Sequence, residues 1–125
     1  MMSQSTLMEV ELYRFSSPGV EFLYTSHEFD VETMGHGDYR SLPIERNALA
    51  LGAEAAKSAL ELRLPADCDL VPHLLDAAIT GAGTSVLLQY VVRIEGFAFW
   101  SHIATRWMGR VLGIEVSGDA ARLHC

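Results

Sequence analysis

At 125 residues, half of them hydrophobic and a fifth charged, the chain is long enough for one core of its own and too apolar for a disordered tail. Its formal charge of −7 excludes strong non-specific attraction to a phosphate backbone, because its Lys and Arg are few and scattered, so nucleic acid is not an expected partner. No apolar run approaches the roughly 20 residues of a membrane span, and Met1 to Thr6 lacks the basic start and apolar core of a secretion signal, so the expected setting is the cytoplasm.

The elements follow in order. Met8, Val10 and Leu12 alternate with Glu9, Glu11 and Tyr13, which is the period-two pattern of a half-buried strand. Ser16-Ser17-Pro18-Gly19 suits a type II turn, and Val20 to Thr25 reads as the returning strand of a hairpin. Met34 to Asp38 carries two glycines that take positive φ cheaply, and leads into a strand over Tyr39 to Leu42 that Pro43 confines to an edge or an end. Asn47 to Ser58 is rich in alanine and has the propensity of a helix, weakened by Gly52; the preferred reading is strand, short loop or single turn, then strand. Leu60, Leu62 and Leu64 alternate with Glu61 and Arg63 up to Pro65, again a strand.

One helix follows. Asp69 is placed to cap it, Pro72 fits its first turn, Leu70, Leu74, Leu75 and Ile79 share a face, and Gly81 suits its C-terminal stop. Val86 to Glu95 is the longest alternating run, Gly96 marks a turn, and Phe97 to Trp107 is an aromatic-rich stretch. Arg110 to Val116 precedes a Ser117-Gly118-Asp119 turn into a terminal strand over Ala121 to Cys125, which stops without a polar fringe. The total is about six to eight strands around one helix, a mainly β (α+β) fold: a small β-barrel or strongly bent antiparallel sheet with one short helix. Residues 1–125 read as one β-rich domain, the N-terminal part of a longer protein.

Candidate chemistry is sparse. His27, His36, His73, His102 and His124 form no HxxxH or HxH grouping, and read as loop and strand-face histidines, not metal ligands. Ser101 and His102 are neighbours on a strand, so they point to opposite faces and do not make a nucleophile with its base. Gly81 to Ser85 lacks the Lys of a phosphate-binding loop. Glu9 with Glu11, and Glu28, Asp30 and Glu32, could serve as paired acid and base, but no positive partner is in view, and a solvated face is the commoner meaning. Cys68 and Cys125 could bridge on paper; two cysteines are too few for a disulfide scaffold, and both read as thiols. Phe97, Phe99, Trp100 and Trp107 are core residues on the favoured reading and interface residues on the other.

The order of these pieces resembles the N-terminal region of phage tail hub and tail-tip (baseplate hub) proteins, the group that includes the lambda-type minor tail protein L and the hub proteins of gene transfer agents. The resemblance is carried by Val10 to Phe15, Tyr24-Thr25-Ser26, Gly37-Asp38-Tyr39 with Leu42-Pro43-Ile44 and Arg46, Leu60 to Pro65, Gly109-Arg110-Val111, and Ala121 to Cys125. It implies a non-catalytic structural part of a virion tail tip. In that role a homo-oligomeric ring, in contact with distal tail and tip proteins, joins the tail tube to the central tip. It also implies that Cys125 could be a ligand of an iron–sulfur cluster in a longer parent protein, whereas this chain, with two thiols, is expected to hold no cofactor or metal. The alanine-rich Asn47 to Ser58 departs from the more β-like sequence of that group. Two other classes stay open: a free-standing small-ligand-binding β-barrel, and a cell-wall-directed hydrolase domain.

Overall fold

The computed structural model describes residues 6–49, 59–94 and 96–125, with only the backbone of His102 and Ile103. The proposed turn or strand within Asn47 to Ser58 falls mostly outside these residues. The elements are β1 (Leu7–Ser17), β2 (Val20–Thr25), β3 (Val31–Thr33), β4 (Gly37–Ser41), β5 (Glu45–Arg46), β6 (Glu61–Pro65), α1 (Leu70–Thr80), β7 (Ser85–Ile94), β8 (Ser101–Arg110), β9 (Gly113–Ser117) and β10 (Ala120–His124). Ten strands among the described residues exceed the expected six to eight, because β3 and β5 are only three and two residues long and carry no periodic signal.

The chain is mainly β. Six strands in the order β3-β4-β2-β1-β7-β8 curl strongly into a half-barrel, and four more, β5-β6-β10-β9, make a second sheet. The β1–β2 hairpin closes with Ser17 opposite Val20, so Pro18 and Gly19 form the two-residue turn, with Gly19 at φ 83° as a type II turn requires. The sheet is not wholly antiparallel, as a bent meander would be: β4 runs parallel to β2, with Tyr24 opposite Arg40 and Thr25 opposite Ser41. The return is possible because β3 intervenes and turns the chain back before β4. At the base of the second sheet, the Asn47 amide imitates a strand backbone: its Nδ2 donates to Ala59 O at 2.9 Å and its Oδ1 accepts from Glu61 N at 2.8 Å.

Burial on both sides of the large sheet creates two cores. On its concave face Tyr13, Phe15, Tyr24, Val86, Leu88 and Trp107 pack with Leu60, Leu62, Leu64 and Leu123 of the small-sheet side and with Leu70, Val71 and Leu74 of the helix. On its convex face Val10, Leu12, Val31, Tyr39 and Val91 form a smaller cluster, flanked by Leu23 and Trp100. β1 is therefore buried on both faces, and Leu12 and Tyr13, adjacent in sequence, are both sealed from solvent.

The helix turns differently from the expected face. Leu70, Val71, Leu74 and Ala77 point inward, while Leu75 and Ile79 are 44% and 86% exposed. A stripe through positions 70, 74 and 77 lies closer to a 3.6-residue repeat than one drawn through the larger aliphatics, and the small Ala77 lets the helix approach the sheet. Asp69 occupies the cap position but makes no side-chain cap bond, since it is itself in right-handed helical conformation. The amide of Val71 instead donates to Cys68 O at 3.2 Å. Gly81 ends the helix as expected, left-handed at φ 77°, its amide donating to Ala77 O at 2.8 Å.

One glycine is required by packing, not by its backbone angle. The Trp107 ring lies across Gly109, where an added Cβ would meet three ring atoms at 3.0 Å or less. Gly109→Ala is therefore expected to destabilise the fold by about 1–3 kcal/mol through displacement of a core indole. Urea unfolding followed by circular dichroism measures this, and an unchanged midpoint would mean that Trp107 is not held over that strand.

Candidate functional site

The aromatic-rich stretch runs from the β7–β8 connection into β8, and the fold divides its four aromatic side chains between two faces. Trp107 is buried in the concave core, at 6% exposure. Trp100 is half-buried on the convex face, and Phe97 and Phe99 are 63% and 68% exposed. The core reading thus describes Trp107 and, in part, Trp100. Phe97 and Phe99 carry apolar rings into solvent.

Around Trp100 the convex face builds a platform from two regions far apart in sequence. The Arg93 guanidinium lies 4.3 Å from the Trp100 ring centroid, a cation–π stack. The His27 ring meets Trp100 edge-on at 5.7 Å and Phe29 at 5.9 Å, so Phe29, His27, Trp100 and Arg93 form one row. Strand geometry sets the order: Met8 lies opposite Arg93 in the β1–β7 ladder, and the Arg93 Nη2 reaches Met8 Sδ at 3.7 Å. Arg93 makes no ion pair among the described residues, and its buried Nε has no hydrogen-bond partner there. A half-buried guanidinium with an indole below it and no ion-paired carboxylate among the described residues is an incomplete set of interactions, which an incoming acceptor would complete. Phe29 stands 67% exposed at the end of the row.

The concave face carries a second polar group, and here the expectation that Glu9 and Glu11 lack a positive partner is overturned. Arg46 grips Glu11 with two bonds, Nε to Oε1 at 2.6 Å and Nη2 to Oε2 at 2.8 Å. Arg106 bonds Glu11 Oε2 through Nη1 at 2.7 Å and Glu9 through Nη2. The Tyr13 hydroxyl donates to Glu11 Oε1 at 3.1 Å, and Arg106 stacks over the Tyr90 ring at 4.4 Å.

A β-bulge places Arg106. Leu88 pairs with Trp107 but Gln89 pairs with Thr105, so Arg106 is the extra residue and turns to the same face as Trp107, where strict alternation would send it outward. Burial pushes the Glu11 carboxyl up, but the bonds and charges of Arg46 and Arg106 outweigh it and hold the group below the ordinary carboxylate range. Burial and the neighbouring Glu11 charge keep the Tyr13 phenol protonated. With both carboxylates committed to guanidinium ions, this cluster ties β1, β5 and β8 together and leaves no carboxylate poised as a general acid. The other acidic trio splits: Asp30 accepts the Ser41 amide at 2.7 Å, while Glu28 and Glu32 are exposed.

The remaining candidates are quickly placed. His73, on the helix, lies with Nε2 2.9 Å from Ser17 Oγ, which is in turn 2.8 Å from Thr84 Oγ1, and its ring tilts against Phe22 at 5.2 Å. This chain of hydroxyls fastens α1 to the hairpin end of the large sheet; among the described residues nothing holds the other imidazole nitrogen as a catalytic orienter would. Ser101 opens β8, and the His102 side chain lies outside the described residues. His124 lies 3.6 Å from Glu61 and 3.9 Å from Glu115 on the small sheet. Cys68 is buried and Cys125 packs against the concave core, where burial pushes its thiol up to about 12. No group of three or more His, Cys, Asp or Glu side chains that could hold a metal occurs among the described residues, and two cysteines do not furnish the four thiolates of a cluster. No helix is long and apolar enough to cross a membrane among the described residues.

The class these features define is a mainly β, curled-sheet domain with a filled interior and a half-buried cation–aromatic platform at one end. No protein-family model matches the chain, and no curated protein does.

Proposed function

We propose that this chain is a structural subunit of a phage or prophage tail tip, part of the hub ring that joins the tail tube to the central tip. The observation that carries the reading is the platform of Arg93, Trp100, His27 and Phe29, which offers the Arg and Trp side chains that anchor protein interfaces, in a half-buried setting with polar capacity unspent. The order of sequence pieces that resembles the hub group supplies the particular assembly. In this reading the partners are distal tail and tip proteins and further copies of the chain, and Phe97 and Phe99 extend the contact zone. A cluster ligated by Cys125 belongs only to a longer parent protein.

The small-ligand reading fits the interior less well: Tyr13, Phe15, Leu62, Leu88 and Leu123, each at 2% exposure or less, fill the space that a ligand would occupy. The test is deletion of the coding region in the source strain, followed by electron microscopy of released particles. Tails that lack a tip, or tubes of uncontrolled length, are the expected result. Particles with complete tips and unchanged infectivity would overturn the proposal.

A further inference from the structure

The convex platform has a counterpart at the other end of the molecule. On the outer face of α1, Pro72, Leu75, Asp76 and Ile79 recur at helical spacing and are all exposed, giving an apolar stripe with one carboxylate in its middle. Asp76 makes no ion pair among the described residues. The two surfaces have matched deficits among the described residues: Arg93, beside its aromatic rings, pairs with no carboxylate, and Asp76, among its aliphatic neighbours, pairs with no cation.

Their positions are also fixed by the fold. The helix is fastened to the hairpin end of the sheet through His73 and Ser17, beside the Ser16–Ser85 pair, whereas Arg93 lies opposite Met8 at the far end of the same ladder. Eight residues of strand separate these pairs, about 27 Å at the rise of an antiparallel strand. The helix packs on the concave side and the platform stands on the convex side. Two complementary patches at opposite ends and on opposite faces of one molecule cannot satisfy each other within that molecule. They can do so only between molecules, and then head to tail.

We infer that the occupant of the Arg93–Trp100–His27–Phe29 platform is the α1 outer face of a second copy of this chain, with Asp76 on Arg93 and Leu75 and Ile79 against Phe29 and Trp100. The inference rests on the hub reading for its setting and gives that reading its subunit contact. A heterologous contact of this kind closes into a ring or extends into a filament according to the rotation between neighbours.

The experiment is sedimentation velocity on the purified chain, from tens of micromolar to about 1 mM, a range suited to weak association. The wild type is expected to sediment faster as concentration rises. Asp76→Arg, at an exposed position, and Arg93→Glu, at a half-buried one, are each expected to weaken association at least about tenfold. An equimolar mixture of the two is expected to associate and to keep growing with concentration, because the native charge pair forms at one junction and the exchanged pair at the next. The double variant, with the charges exchanged, is expected to associate again. Phe29→Ser and Ile79→Lys provide a second pair should either charge reversal unfold the chain, as circular dichroism would reveal. A wild type that stays monomeric throughout, or an Asp76→Arg variant that associates normally, would overturn the inference. A mixture that stays monomeric, or one that stops at a dimer as a symmetric contact would make it do, would also overturn it. None of these outcomes touches the location of the protein on particles, which tests the hub reading separately.

Discussion

Phe15→Ala is expected to cost about 3–5 kcal/mol of folding free energy, the largest effect of any single substitution considered. Phe15 is fully buried in the concave core, its ring 6.3 Å from Tyr24, and it pairs with Phe22 and Val86 on the two strands that flank β1. Truncation removes a benzyl group where strands from both neighbours and the second sheet converge, and the closed hydrogen-bond ladder on each side limits how far the cavity can collapse. Since a domain of this size has about 5–15 kcal/mol in total, much of its margin would be lost. Urea titration supplies the measurement, with Phe97→Ala as the control: Phe97 is an equally large but 63% exposed ring, and its loss should change stability by about 0.5 kcal/mol or less. Equal effects of the two substitutions would contradict the assignment of Phe15 to the core.

Glu11→Gln is expected to cost about 2–3 kcal/mol at neutral pH, because it weakens three charge-assisted bonds and leaves Arg46 and Arg106 without their shared counter-charge in a partly buried site. The pH dependence has a definite sign. The folded carboxyl titrates below its unfolded value, so its stabilisation is fully present above the unfolded pKa, near 4.3, and is lost as pH falls through the folded value. The stability difference between wild type and Glu11→Gln should therefore be constant from neutral pH down to about 5 and shrink below it. A difference that stayed constant down to pH 3, or grew, would mean that the bonds to Arg46 and Arg106 are not made in solution.

Local turn chemistry and period-two alternation made much of the strand framework legible. Pro18-Gly19, Gly35 with Gly37, Gly81 and Gly118 each sit where a positive φ stops or reverses the chain, and the strands between them follow. Three features were not legible, each for a stated reason. Alternation marks one face as apolar and cannot reveal that the other is covered too, so the burial of Tyr13 and Phe15 beside Leu12 depends on the second sheet and helix. The outward turn of Leu75 and Ile79 follows from Ala77 being preferred inside, a choice made by the space above the sheet. The parallel β2–β4 pairing is non-local and leaves no mark on either strand.

The site was harder still. The partners of Glu11 lie 35 and 95 residues away in sequence, and Arg106 reaches it only because a bulge breaks the alternation from which its direction would be read. The Met8–Tyr13 run nevertheless held a clue: two glutamates on the face of a strand that leads into Tyr13 and Phe15 must find cations when that face closes. Of the aromatics at 97–107, Trp107 faces the concave core and Trp100 joins His27 and Arg93 on the other side; Trp100 precedes β8, so strand alternation could not fix its direction.

The most direct measurement is immunogold labelling of particles released by the source strain, with an antibody raised against this domain. Gold confined to the tail tip is the expected result, and would place the domain where a hub subunit acts. Unlabelled particles, with all the antigen left in the cell lysate, would contradict the tail-tip assignment.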